Sequence, residues 1–187
     1  MTTKTTKRTF NMILCAMFVA LIIVGTFLKV PIPYLPFTLQ LLFTTLAGIV
    51  LGGRGGFAAV GIYILMGLIG LPVFTEGGGL GYIFKPSFGY IIGFAVAAYV
   101  TGVIANRVDV PSYKRLLAAT FTGLAIVYAF GMVYLYFISN FYLGTHIGLK
   151  TLFIYCFLLP IPGDIVLCIV SALMGKRLIP FMNKIRK

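Results

Sequence analysis

The sequence predicts an all-α integral membrane protein of six transmembrane helices, with both termini cytoplasmic. Three observations predict it. Of the 187 residues, 60% are hydrophobic and 10% charged, and mean hydropathy is +1.08; soluble domains carry roughly 25% charged residues. The apolar residues fall into six segments divided by glycine, proline and charge. The basic residues then split unequally between alternate connections. The length accommodates about six spans of some 20 residues and little else, so residues 1–187 read as one integral membrane domain.

The first segment, Phe10 to Leu28, follows a basic N-terminus and mimics a secretory signal. Its apolar run of about 19 residues exceeds an h-region and no A-x-A pattern follows, so it reads as a retained span. The second and third segments, Phe37 to Gly52 and Phe57 to Leu71, are short, a mismatch that tilt and flanking side chains absorb. GGRGG at Gly52 to Gly56 reads as a tight turn between them, where glycine supplies positive φ at little steric cost. The fourth runs from Phe88 to Asn106 and the fifth from Leu116 to Ser139. The sixth lies within Leu149 to Phe181. Proline suits the first turn of a helix, so the last full span starts near Pro162. Leu149 to Leu159 is then a short apolar segment on the outer side.

One set of connections holds Lys4, Lys7, Arg8, Arg54, Arg107, Lys114, Arg115, Lys176, Arg177, Lys184, Arg186 and Lys187; the other holds Lys29, Lys85 and Lys150. A 12-to-3 bias is a positive-inside signal. It puts both termini in the cytoplasm and explains the net charge of +12 without nucleic acid.

The stretch from Leu71 to Ile91, LPVFTEGGGLGYIFKPSFGYI, then faces outward. It combines an acid, a lysine, three consecutive glycines and two prolines. Non-helical backbone beside a bilayer is tolerated only where protein or a watery cavity covers it. A small-molecule pocket and an ordinary surface loop both fit that composition. Glu76 and Lys85 either pair with each other, a contact worth little, or Lys85 meets an anionic ligand. Gln40, an amide among apolar neighbours, needs a partner from another helix or from a ligand. Tyr82, Tyr90, Phe37 and Tyr34 are candidate apolar walls, with an interfacial aromatic belt as the alternative. Asp164, after PIPG at the start of the last span, is either a helix cap or a functional intramembrane acid.

The absences exclude several chemistries. There are three acids, Glu76, Asp109 and Asp164, and one histidine, His146, which reads as solvent-facing in an outer loop. Paired-carboxylate hydrolysis and clustered-aspartate metal chemistry need more. No H-E-x-x-H occurs, and GGRGG lacks the G-K-[ST] ending of a phosphate-binding loop. The chain is not an enzyme on this reading, and active transport would need a partner or an ion gradient. Cys15, Cys156 and Cys168 follow no ligand spacing and read as packing residues. Small residues lie at four-residue spacing at Ala16 and Ala20, and at Gly89, Gly93 and Ala97, as close helix packing in membranes uses them. The first pair also suits an external docking face.

Five motifs in order carry a resemblance: PFTLQ at Pro36 to Gln40, LAGIVLG at Leu46 to Gly52, LPVFTEGGG at Leu71 to Gly79, FKPSFGYIIGF at Phe84 to Phe94, and LPIPGD at Leu159 to Asp164. Together they resemble the BioY family, the biotin-specific S components of energy-coupling-factor (ECF) vitamin transporters, most nearly the lactic-acid-bacterial type. The likeness spans nearly the whole chain. It implies an S-component fold, a single substrate-binding membrane domain that captures biotin at the outer face. It implies docking on a transmembrane coupling protein joined to two cytoplasmic ATPase subunits, with inward delivery by toppling in the membrane. Ala16 and Ala20 match the family's A-x-x-x-A docking motif, and Lys29 to Pro36 would be the lid. Biotin is the transported ligand; no cofactor, metal or catalytic residue is implied. The implied ligand set is Asp164, Lys85, Tyr82, Gln40, Phe37, Thr38, Gly77, Gly78 and Tyr90. A carboxylate at Asp164 can accept from ureido N–H groups, Lys85 is the cationic candidate, and Tyr82, Tyr90 and Phe37 suit the thiophane ring. A stand-alone biotin permease and an S component for another vitamin are the alternatives.

Overall fold

The computed structural model describes residues 2–32 and 36–186. Helix α1 (Thr2–Phe27) ends where a two-residue strand β1 (Lys29–Val30) pairs antiparallel with β2 (Phe37–Thr38), Lys29 opposite Thr38 and Val30 opposite Phe37. The lid stretch is thus bounded by a small ladder. Pro33, Tyr34 and Leu35 lie outside the described residues, and the reading of Tyr34 as a wall residue falls there.

Helix α2 (Gln40–Leu68) is continuous in hydrogen bonding but not in direction. Gly52 sits at φ +78°, ψ 171° inside it, a conformation open almost only to glycine. Tyr63 Oη lies 2.8 Å from Gln40 Nε2, although 23 residues of straight helix would part them by about 35 Å. A Cβ on Gly56 would sit 2.6 Å from the Gly48 Cα. The element is therefore two antiparallel limbs folded at the glycine-rich turn, as predicted for GGRGG. Its start at Gln40, three residues after the expected Phe37, follows from the Phe37–Thr38 strand pairing.

A short 3₁₀ turn (Leu80–Phe84) leads into α3 (Phe88–Ala105), the central helix, with 12 of its 18 residues buried. Small residues let it approach both neighbours. Gly48 of α2 lies on the Ala98 backbone, and Gly102 lies on the backbone at Gly52 and Gly53. Gly89 and Gly93 face Tyr134 and Val127 of α4 (Tyr113–Phe137), so that stripe packs inside the protein. Asn106 closes the seam by donating to the Ile49 carbonyl at 3.0 Å.

Helix α4 starts before the expected Leu116 because Ser112 caps it, its Oγ accepting from the Arg115 N–H at 3.3 Å. It runs on as a π-helical turn (Ile138–Tyr142). The expected short segment is α5 (Leu149–Phe153) with a second π turn (Ile154–Leu158), and α6 (Ile161–Arg186) follows. Among the described residues, five helical stretches are long and apolar enough to cross a membrane. Their outward faces are apolar, with Met12, Ile13 and Val24 on α1 and Val166, Leu173 and Phe181 on α6 all exposed. All three cysteines are free thiols, and the described residues hold no cluster of metal ligands.

Candidate functional site

A cavity opens at the end of the bundle where β2, the glycine-rich loop, α3, α4 and the start of α6 converge. It holds about 580 Å³ of space between atoms, the open mouth included. The foot of α2 contributes Pro36, Phe37, Thr38, Gln40 and Leu41, and the loop contributes Thr75, Tyr82 and Ser87. Helix α3 adds Tyr90, Ile91 and Phe94, and α4 adds Val127 and Tyr128. Pro160 and Asp164 complete the wall.

Each side chain is held from behind. Phe37 reaches this wall because residue 163 is glycine: a Cβ there would lie 2.7 Å from the Phe37 ring. The PFTLQ and PIPGD motifs are thus two halves of one contact. Asp164 is no cap, since its own N–H already donates to the Pro160 carbonyl at 3.1 Å. Its carboxylate instead receives the Tyr128 hydroxyl at 2.5 Å on Oδ2. Tyr90 donates to the Cys156 carbonyl at 3.2 Å and meets Tyr128 edge-on at 6.3 Å between centroids. Tyr82 shares hydrogen bonds with Thr75 at 2.8 Å and Ser87 at 3.2 Å, and its ring leans on Phe74 at 4.4 Å. Gln40 is 4% exposed and donates to Tyr63.

The loop itself is folded by its glycines. Phe74 and Gly77 form an antiparallel bridge, and Gly77 and Gly79 take φ of +109° and +105°. The Gly79 N–H donates to the Gly67 carbonyl at 2.7 Å, which ties the loop to the end of α2. Lys29 of β1 donates to the Thr75 carbonyl at 2.8 Å, so the first outer connection is fastened to this loop.

Of the expected ligand set, Asp164, Tyr82, Gln40, Phe37, Thr38 and Tyr90 share the cavity wall. Lys85, Gly77 and Gly78 stand outside it. Lys85, held extended before Pro86, turns to Glu76 at 2.8 Å, both side chains about half exposed. That hydrogen bond pushes the Lys85 ammonium pKa above its usual value. The pair borders a neighbouring, more open recess that shares only Ser87 with the main cavity. Gly77 and Gly78 serve the turn: a side chain at Gly78 would run into the Leu71 carbonyl. Asp164 is consequently the one formal charge on the wall among the described residues. Ala16 and Ala20 lie exposed on α1, away from Phe18, Val19 and Ile22, which face the core. His146 is exposed.

Sequence reasoning missed Tyr128, Tyr63, Thr75 and Ser87. The last two stand inside the motifs FTEGGG and FKPSFG, where polar residues in a candidate pocket loop were signal enough. Tyr128 in IVYAF and Tyr63 in GIYIL carry no local signal; only the tertiary fold brings them to Asp164 and Gln40.

The chain has relatives among known proteins. The BioY family matches residues 1–184. A probable biotin transporter BioY of Lysinibacillus sphaericus is 46% identical over 172 residues, covering 92% of this chain and 88% of the relative. The biotin transporter BioY of Thermotoga maritima is 40% identical over 133 residues, or 71% and 75% of the two chains. Among solved structures, the S-component for biotin from an ECF-type ABC transporter superposes with a TM-score of 0.80 at 30% identity, covering 92% of each chain. The relatives are transporters rather than enzymes. A match along nearly the full length, relatives this similar and a shared helical fold together show that the chain belongs to the BioY family.

Proposed function

We propose that this protein is the biotin-capturing S component of an ECF-type importer. The observation that carries the reading is the cavity itself, an apolar chamber with a single part-buried carboxylate, in a chain that belongs to the BioY family. Biotin offers what such a chamber asks for. Its ureido ring carries two N–H donors and a carbonyl, and its thiophane ring is apolar. Asp164 Oδ1 accepts a ureido N–H, since Oδ2 is committed to Tyr128. Phe37, Tyr82 and Tyr90 cover the thiophane. Thr38 and Gln40 supply polar groups at the other side. Gly77 and Gly78 shape the loop at the rim, and Lys85 reaches the anionic tail only by leaving Glu76.

In this reading six segments cross the cell membrane: α1, the two limbs of α2, α3, α4 and α6. The limbs are short for a hydrocarbon core of about 30 Å, and tilt or local thinning accommodates them. The basic residues put both termini in the cytoplasm, so the cavity faces outward. The energy comes from elsewhere. The glycine-rich turn of α2 is a fold-back without a phosphate-binding signature; two partner ATPases acting through a coupling protein, as the resemblance to ECF S components implies, supply it. That protein docks on the exposed Ala16 and Ala20 of α1.

The test is equilibrium binding of biotin to purified, ligand-free protein in detergent, with thiamine and riboflavin as controls. Saturable binding of biotin alone is the expected result. Folded protein that ignores biotin, or prefers another vitamin, would overturn the assignment.

A further inference from the structure

Tyr63 stands one layer behind the cavity wall, 1% exposed, on the second limb of α2. Its hydroxyl joins three other parts of the chain. It lies 3.1 Å from Thr26 Oγ1 on α1, 2.8 Å from Gln40 Nε2 and 3.3 Å from the Val73 carbonyl in the loop. A phenol has one proton to give. The Thr26 hydroxyl spends its own on the Ile22 carbonyl at 2.9 Å. The Tyr63 proton therefore goes to Thr26 or to Val73, and toward Gln40 the phenol oxygen accepts.

The other end of the amide agrees. Thr38 Oγ1 accepts the Gln40 backbone N–H at 3.4 Å and donates to Gln40 Oε1 at 3.3 Å. A flipped amide would draw the Tyr63 proton onto Gln40 and leave none for either Thr26 or the Val73 carbonyl. It would also leave the Thr38 proton facing an NH₂ group. Among the described residues, Gln40 then has one Nε2 hydrogen engaged with Tyr63 and its second unspent, in a side chain that lines the cavity.

We infer that Tyr63 is a positioning residue that locks the Gln40 amide so that it offers the ligand an N–H donor, selecting a ligand with an acceptor there. Asp164, on the wall from α6, asks for a donor. A ligand carrying acceptor and donor on one rigid ring, as a cyclic urea does, satisfies both. The inference rests on the biotin reading for the ligand, but the amide orientation stands apart from it.

Gln40 is the only glutamine in the chain, so glutamine-selective ¹⁵N labelling gives a single side-chain NH₂ pair in detergent. In the wild-type protein without ligand, one proton of the pair should exchange with water markedly more slowly than the other. Tyr63→Phe keeps the ring against Phe74 and removes only the oxygen; the two rates should then converge. Equal rates in the wild type, or unequal rates unaffected by Tyr63→Phe, overturn the inference whatever the ligand is. Biotin binding supplies the second arm. Tyr63→Phe should weaken it about tenfold, near 1.4 kcal/mol. In a Gln40→Met background the same substitution should add less than about twofold, because contacting residues that act together are not additive. Tyr63→Phe should also narrow the preference for biotin over 2-iminobiotin, whose protonated ring carries a donor where biotin has its carbonyl. Additive losses with an unchanged preference would make Tyr63 a packing residue only. A wild type that does not bind biotin at all refutes the ligand reading instead, and leaves the exchange result to decide the amide.

Discussion

Replacing Asp164 by asparagine tests the site most directly, because the substitution keeps the shape and removes the charge. Oδ2 is committed to the Tyr128 hydroxyl at 2.5 Å, so Oδ1 is the oxygen left for a ligand N–H. A hydrogen bond to a charged group contributes about 1.5–3 kcal/mol against about 0.5–1.5 for a neutral one. The difference, about 1–1.5 kcal/mol, is roughly tenfold in affinity. The asparagine amide adds a second cost. If its oxygen stays on Tyr128, its NH₂ confronts the ligand donor. If its oxygen turns to the ligand, its NH₂ confronts the phenol, which must surrender its proton elsewhere. Either arrangement leaves a polar group mismatched in an apolar wall, a further ~1–3 kcal/mol. The two costs together, about 2–4.5 kcal/mol, put the expected loss in biotin affinity at about thirtyfold to two-thousandfold, read by titration calorimetry in detergent. Stability should move the other way. An ionised carboxylate among apolar residues costs solvation that an amide does not, so the melting temperature should hold or rise. Wild-type affinity in a variant that melts normally would refute the assignment of Asp164 as the ligand acceptor.

Three further outcomes follow from packing. Gly163→Ala would put a methyl 2.7 Å from the Phe37 ring and push that ring into the cavity; overpacking of this kind costs about 1–3 kcal/mol, here expected mainly as weaker ligand binding, with wild-type affinity counting against the Phe37 wall. Gly52→Ala forces a side chain into backbone at φ +78°, a strain of about 1–3 kcal/mol; the melting temperature should fall by several degrees while affinity in the surviving fold is kept, and an unchanged melt would refute the fold-back at this residue. Ala16→Leu or Ala20→Leu should leave biotin binding intact, since both are exposed on α1, yet abolish co-purification with the coupling protein and ATPases; a normally assembled complex would reject that docking face.

The pattern of what could be read from the chain has a physical cause. Apolar segments and glycine-rich breaks are local properties, so the helices were legible, and the fold-back at Gly52 with them. Their ends were less so. Helix α2 starts at Gln40 because Phe37 and Thr38 pair with the first outer connection, and α4 starts early because Ser112 caps it. Composition favours or permits both outcomes; neighbours decide between them. Lys85 makes the same point within the site. Its extended backbone before Pro86 was readable, but its direction was set by Glu76, and a charge with a partner already in reach turns away from an apolar chamber.

The two tyrosines show where sequence reading ends. Tyr63 and Tyr128 sit mid-segment among apolar residues, where an aromatic needs no explanation, and neither stands in a motif. What distinguishes them is the company that folding brings: Tyr128 meets the one acid of α6 from α4, and Tyr63 meets Gln40 only because α2 doubles back on itself. The polar residues that the motifs do display, Asp164 and Gln40, are thereby each held by a hydroxyl that the motifs do not. A buried carboxylate or amide without such a partner would be free to turn, and a site built to distinguish a ring donor from a ring acceptor needs both groups fixed before the ligand arrives. Selectivity in this cavity therefore depends on residues behind the wall as much as on those that line it.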